Sequence, residues 1–212
     1  MTRKATLLDQ FRKPTGWLGW FVLRRMNSRH SELTDWGLAH ISIGEHDTVL
    51  DVGCGGGRTV SKLAAIATQG KVCGIDYSDA SVAASRKTNA KRIDSGRVEI
   101  LQGSVSQLPF PDGAFDLVTA VETHFFWPNL PADMREVFRV LKPGGTLILI
   151  AEVYKGGKME AGRLAGKSFS FTDMTILSVD EHRELFTNTG FSDVQVLEQC
   201  DKGWICCIGR KP

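Results

Sequence analysis

From Thr48 onward the chain alternates short β-rich apolar runs with segments patterned at helical spacing. "TVLDV" (48–52) predicts a strand, and "TVSKLAAIATQG" (59–70) predicts a helix that Gly70 ends. "KVCGID" (71–76) predicts the next strand. A polar helix follows through "DASVAASRKTNAKRIDSG" (79–96), with Asp79 as its cap and Gly96 as its stop. "RVEIL" (97–101) and "FDLVTAV" (115–121) predict two more strands, separated by the turn-rich "PFPDGAFD" (109–116). In "PADMREVFRVL" (131–141), Met134, Val137, Phe138 and Leu141 recur at i, i+3, i+4 and i+7, one buried helix face. "KPGG" ends that helix, and "TLILIAEV" (146–153) is apolar throughout, as a central strand covered on both sides must be.

Alternation of this kind predicts a parallel sheet with right-handed crossovers. The end of the chain breaks the rule. Ser178 and Glu181 form an S-x-x-E capping box opening a helix that stops at Gly190. "SDVQVLEQC" (192–200) and "GWICCIG" (203–209) then follow with no helix between them, so they must pair antiparallel. Residues 1–47 are expected to form an N-terminal helical arm or lid, and residues 48–212 the main domain. A glycine- and lysine-rich loop, "KGGKMEAGRLAGKSFSFT", covers 155–172.

Composition narrows the class without deciding it. At 212 residues, 42% hydrophobic and 24% charged, the chain fits an ordinary globular domain. A net charge of +2 gives little overall attraction to nucleic acid. Basic residues do gather in the first thirty positions, where Arg3, Lys4, Arg12, Lys13, Arg24, Arg25 and Arg29 face only Asp9. That run reads as a solvated face or as a patch for nucleic acid or anionic lipid. The five cysteines contain no C-x-x-C pair, so neither a metal site nor a disulfide framework is expected, and reduced thiols in a cytoplasmic protein fit better. No apolar run reaches the ~20 residues that a membrane crossing needs.

Chemistry concentrates at "TVLDVGCGGGRTV" (48–60), where glycines at 53, 55, 56 and 57 follow a strand and precede a helix. This is where α/β sheets bind ligands. The dinucleotide fingerprint G-x-G-x-x-G fails at its third glycine, because Arg58 stands there. Asp51 lies just ahead of the loop and Asp76 at the end of the next strand, where an acid can accept hydrogen bonds from ribose hydroxyls. A tight turn with Asp76 merely capping a helix is the alternative.

Four segments, "VLDVGCGGGRT", "VCGIDYS", "LPFPDGAFDLV" and "RVLKPGGTLIL", occur in order over about residues 48–152. Together they resemble the class I S-adenosylmethionine-dependent methyltransferases, in particular the small-molecule "type 11" group. The resemblance implies an α/β, Rossmann-like, seven-stranded and mostly parallel sheet with an antiparallel last strand and helices on both faces. It implies S-adenosyl-L-methionine as cofactor, S-adenosyl-L-homocysteine as its product, and a small-molecule acceptor. By the same resemblance Asp76 holds the ribose with Tyr77 beside it. Asp51, Gly53, Cys54 and Gly55 lie by the amino-acid end, and Ser104, Val105 and Val121 complete the cofactor site. The family often carries an acid where "QGSVSQLPF" has Ser104, a weaker partner for an adenine amino group, while the Val105 N–H can still serve a ring nitrogen.

Methyl transfer is an in-line displacement that positioning alone accelerates strongly, and a base is needed only where the nucleophile holds a proton tightly. In "VETHFFWPNL" (121–130), Glu122 and His124 are expected at the ligand-binding edge of the sheet as catalytic candidates. The alternatives are that Glu122 binds cofactor or backbone and that His124 is a surface histidine. Phe125, Phe126 and Trp127 are either an acceptor pocket or packing, as are Trp17, Trp20, Phe21 and Trp36 in the arm, where His30 or an arginine is a candidate for the donor's carboxylate.

Three rival readings remain. A nicotinamide-dependent dehydrogenase fits the alternation and fails at Arg58 and at the antiparallel end. An RNA methyltransferase would use the basic arm, yet the N-P-P-Y tetrad and a Pro-Cys nucleophile are both missing from the sequence. A non-catalytic protein that binds S-adenosylmethionine is the third. Nucleic acid is therefore not the expected partner, and oligomerisation is left open.

Overall fold

A computed structural model describes residues 31–158 and 174–212. Seven strands form one sheet: β1 (Thr48–Val52), β2 (Lys71–Asp76), β3 (Val98–Gln102), β4 (Phe115–Val121), β5 (Leu141–Ala151), β6 (Ser192–Gln199) and β7 (Trp204–Arg210). Among the described residues five α-helices accompany them: α1 (Ser31–Leu38), α2 (Arg58–Ile66), α3 (Asp79–Asp94), α4 (Leu130–Val140) and α5 (Val179–Thr189). The strand order is β3-β2-β1-β4-β5-β7-β6. The pairs β1–β2, β1–β4, β2–β3 and β4–β5 are parallel, whereas β7 runs antiparallel to both β5 and β6. Only the last strand is reversed, as the tight β6–β7 connection requires.

Because side chains alternate across a strand, each strand feeds two cores. On one face Val49, Val72, Ile100, Ile148 and Ile150 pack against Leu33 of α1, Leu63 of α2 and Val82 of α3. On the other, Leu50, Val52, Ile75, Val118 and Leu149 pack against Met134 and Val137 of α4 and Phe186 of α5. Continuous apolar runs such as "LILIA" follow from burial on both faces.

The described part of the N-terminal segment packs on the sheet. Leu33 and Leu38 of α1 are buried, and Trp36 tilts against Trp204 of β7 with ring centroids 5.8 Å apart. Residues 1–30, with Trp17, Trp20, Phe21 and His30, lie outside the described residues, as does most of the 155–172 loop. Among the described residues no helix is long and apolar enough to cross a membrane.

Several boundaries differ from the sequence reading. α2 stops at Ile66, one turn before Gly70. Gly70 answers a different need, since a Cβ there would sit 2.0 Å from the Asp47 carbonyl oxygen. The cap of α3 is Ser78, whose hydroxyl accepts from the Ser81 N–H, and Asp79 is the first helical residue. β5 starts at Leu141, so "KPGG" belongs to the strand, entering through an irregular register opposite Phe115 and Leu117. Phe138 is half-buried and packs edge-on to Phe191, while Met134, Val137 and Leu141 are fully buried. The capping box of α5 forms as read, with both reciprocal hydrogen bonds and Gly190 in the left-handed conformation.

Candidate active site

The glycine loop leaves the carboxyl end of β1 and is fixed before any ligand arrives. Gly53 and Cys54 both donate their N–H groups to the Ile75 carbonyl at the end of β2. Gly53 has φ +73°, and a Cβ on it would lie 2.3 Å from Thr123 Oγ1 and 2.8 Å from Thr123 Cβ. Bare main chain is therefore required twice over, by the dihedral and by Thr123 packed against it.

The far side of the loop is held by α3. Ser81, Ser85 and Asn89 are buried polar residues spaced four apart, a stripe on one helix face. Asn89 Nδ2 donates to the Gly57 carbonyl at 2.9 Å, Thr88 Oγ1 to the Gly56 carbonyl at 2.8 Å, and Cys54 Sγ to Ser85 Oγ at 3.7 Å. A Cβ on Gly57 would strike Ser85 Oγ at 2.4 Å and Asn89 Nδ2 at 2.6 Å. Gly57 also starts α2 without a side-chain cap, which leaves the first helical N–H groups and the positive end of the helix for an anion such as a carboxylate.

Two carboxyls flank this loop. Asp51 is 2% exposed and accepts from Thr119 Oγ1 at 2.7 Å across the β1–β4 pair. Burial pushes its pKa up to about 7; the Thr119 hydroxyl opposes the rise and the nearby Asp76 adds to it. Asp76 accepts from the Gly55 N–H and the Ser78 N–H, each at 2.9 Å. Burial raises its pKa too, against those two donors and the Ser81 hydroxyl. A carboxylate has about four lone-pair positions. The Gly55, Ser78 and Ser81 donors engage three of them.

The other cofactor candidates divide. Tyr77 is exposed at 41% and its carbonyl accepts from Gln102 Nε2. Ser104 is exposed and its hydroxyl accepts from the Ser106 N–H, so its side chain shapes its own turn. Val105 is buried and Val121 half-buried. The Cys54 thiol is buried and its pKa is pushed well up, chiefly by burial, which leaves it inert rather than nucleophilic.

Beyond β4 the chain is unusual. Glu122 has φ +57°, a left-handed conformation costing on the order of 1–3 kcal/mol in a non-glycine residue. It is held there by its N–H to the Ile150 carbonyl at 2.9 Å and by its carboxylate accepting from the Glu152 N–H. His124 does not stand at an open edge as the sequence suggested. It is 1% exposed and pairs with His182 of α5. Phe125 and Trp127 are buried and Phe126 half-buried, and Phe125 packs edge-on to both His124 and Phe126.

Sequence reasoning missed Thr119, Thr123, His182 and the Ser81–Ser85–Asn89 stripe. The stripe alone left a trace, as small polar residues four apart in a helix lacking an apolar face.

This geometry suits S-adenosylmethionine. The donor has no phosphate, and its sulfonium and ammonium are cationic. Gly53 offers bare main chain, and Asp51 and Asp76 are buried carboxyls at the ends of the adjacent strands. Residues 50–149 match the sequence model of the family described as "Methyltransferase domain". The chain is 31% identical over 160 residues to the sterol 24-C-methyltransferase erg6 of Aspergillus fumigatus, a match covering 73% of this chain and 42% of that protein. It thus spans less than half the length of that relative. An uncharacterised methyltransferase of Bacillus subtilis, YdaC, is 25% identical over 189 residues, covering 88% of this chain and 96% of its own. Among solved structures, the methyltransferase in complex with the Haloferax volcanii Trm112 methyltransferase activator superposes with a TM-score of 0.74 at 24% identity, covering 92% of this chain and 94% of its own. Fold, loop and family match agree: residues 50–149 form a methyltransferase domain, on the fold shared with that solved methyltransferase.

Proposed function

We propose that this protein transfers a methyl group from S-adenosylmethionine to a small-molecule acceptor. The observation that carries the proposal is the cradle itself: Gly53 beneath Thr123, with Asp51 and Asp76 buried at the ends of adjacent strands. When bound, the donor supplies an activated methyl group on a sulfonium. The chain's residues do the rest. Asp76 holds the ribose, the Gly53–Gly57 main chain and the open start of α2 receive the amino-acid end, and Asp51 in its ionised form favours the cationic groups. Glu122, tied to β5, and Thr123, packed on Gly53, fix the edge of the site where an acceptor must approach.

A small acceptor is favoured by the relative named for a sterol and by the buried aromatics Phe125 and Trp127 beside that edge. The neighbour bound to Trm112 keeps a protein partner in view. The test uses donor labelled in its methyl group, incubated with the purified protein and a cell extract. Label in the organic-soluble fraction supports the proposal, whereas label confined to precipitated RNA or protein would overturn the small-molecule assignment.

A further inference from the structure

His124 and His182 meet Nε2 to Nε2 at 3.1 Å, with ring centroids 5.2 Å apart. Both rings are buried, at 1% and 0% exposure. Two nitrogens at that distance share one proton, and Ser178 decides which ring owns it. His182 Nδ1 lies 2.7 Å from the Ser178 carbonyl oxygen, which can only accept, so Nδ1 of His182 carries a proton. A second proton on its Nε2 would make an imidazolium. Burial disfavours that charge in both rings and holds both below the usual histidine range. His182 Nε2 is therefore a bare lone pair, and His124 donates to it. A neutral His124 with its proton on Nε2 has a bare Nδ1, and that buried nitrogen has no hydrogen-bond partner among the described residues.

His124 lies one residue beyond the cofactor cradle in the chain. Thr123, one residue earlier, is the residue packed on Gly53. Resting on the methyltransferase reading above, we propose that His182 is a positioning residue: it locks His124 in the Nε2–H tautomer and leaves His124 Nδ1 to accept the proton of an O–H or N–H group on the methyl acceptor. In this step the acceptor's lone pair bonds to the methyl carbon while the carbon–sulfur bond breaks with its electron pair left on sulfur. The acceptor's proton passes to Nδ1. A positive charge is lost at sulfur as one is gained on the imidazole, so the net charge of the buried site is conserved. A ring that burial keeps neutral at rest is thereby able to take the proton.

The experiment records long-range ¹H–¹⁵N correlations of the histidines in the ¹⁵N-labelled full chain, free and with S-adenosylhomocysteine. The wild type should show a protonated Nε2 and an unprotonated Nδ1 on His124. His182→Leu should abolish that lock and give exchanging tautomers. His182→Gln, whose amide oxygen can still accept the Nε2–H, should retain it even where the leucine variant does not fold. Phenol and butanol, added as hydroxyl probes to the S-adenosylhomocysteine complex, should shift the Nδ1 resonance of His124. A proton on His124 Nδ1 in the wild type, an unchanged tautomer in His182→Leu, or an Nδ1 resonance unmoved by both probes would overturn the proposal. Calorimetry on the same samples separates the two levels. Absent S-adenosylhomocysteine binding removes the methyltransferase reading, whereas normal binding with Nδ1 protonated removes this inference alone.

Discussion

Asp51→Asn isolates the cost of keeping a carboxyl under the cofactor loop. Asp51 is 2% exposed and its pKa is raised from an ordinary 3.8 to about 7. A carboxyl whose folded pKa lies above its unfolded value binds protons more tightly when folded. The native state is then penalised progressively as pH climbs from the unfolded pKa to the folded one, and the full penalty stands above pH 7. The rise to about 7 corresponds to about 4 kcal/mol at full ionisation. Part of that penalty is already present at pH 5, and linkage puts the further loss between pH 5 and pH 8 at about 3 kcal/mol. Asparagine keeps an oxygen for the Thr119 hydroxyl and cannot ionise, and its pH-independent costs cancel when the two pH values are compared. Urea unfolding of wild type and Asp51→Asn at both pH values should show the variant gaining about 3 kcal/mol relative to wild type on going to pH 8. Affinity for the cationic donor should move the other way, weakening in the variant and, in the wild type, falling as pH drops below 7. A stability difference flat with pH to within about 0.5 kcal/mol would show that Asp51 carries no such penalty.

Other substitutions test the frame around the site. Gly53→Ala should destabilise by about 2–5 kcal/mol, adding a left-handed alanine to the collision with Thr123, and Thr123→Ala should recover at least about 1 kcal/mol of it in a double-mutant cycle. Arg139 pairs with Glu136 and Asp112 and donates to the Leu108 and Phe110 carbonyls. Arg139→Ala should cost about 2–3 kcal/mol in urea unfolding and speed amide hydrogen exchange across residues 104–112. Ser178→Ala removes the cap of α5 and should cost about 1 kcal/mol, read as a lowered melting temperature.

Sequence and structure agree most closely where a local rule suffices. "TVLDV", "KVCGID" and "FDLVTAV" become strands with the boundaries the pattern gives, and the S-x-x-E box caps α5 because both of its partners lie within four residues. Two of the misplaced boundaries share one cause, a tertiary contact. Gly70 reads as a helix stop and is small because the Asp47 carbonyl crowds it, and "KPGG" reads as a break although pairing with β4 carries it into β5. In the candidate site, Asp51, Gly53 and Asp76 stand at the strand ends and loop where the strand–loop–helix pattern put them. His124 was legible as a residue and not as a partner, because His182 is 58 positions away and nothing in "VDEHREL" marks its histidine as facing inward. Asp76 was expected to be open to two hydroxyls, and its engagement by Gly55, Ser78 and Ser81 depends on loop geometry that spacing does not encode.

Calorimetric titration of the wild type and Asp76→Ala with S-adenosylhomocysteine reports on the cofactor site itself. The wild type should show saturable one-site binding and the variant a loss of at least about tenfold, as follows from removing a charged hydrogen-bonding partner worth about 1.5–3 kcal/mol. Folded wild-type protein that releases or absorbs no heat with this compound, or a variant that binds it as tightly, would overturn the assignment of that site.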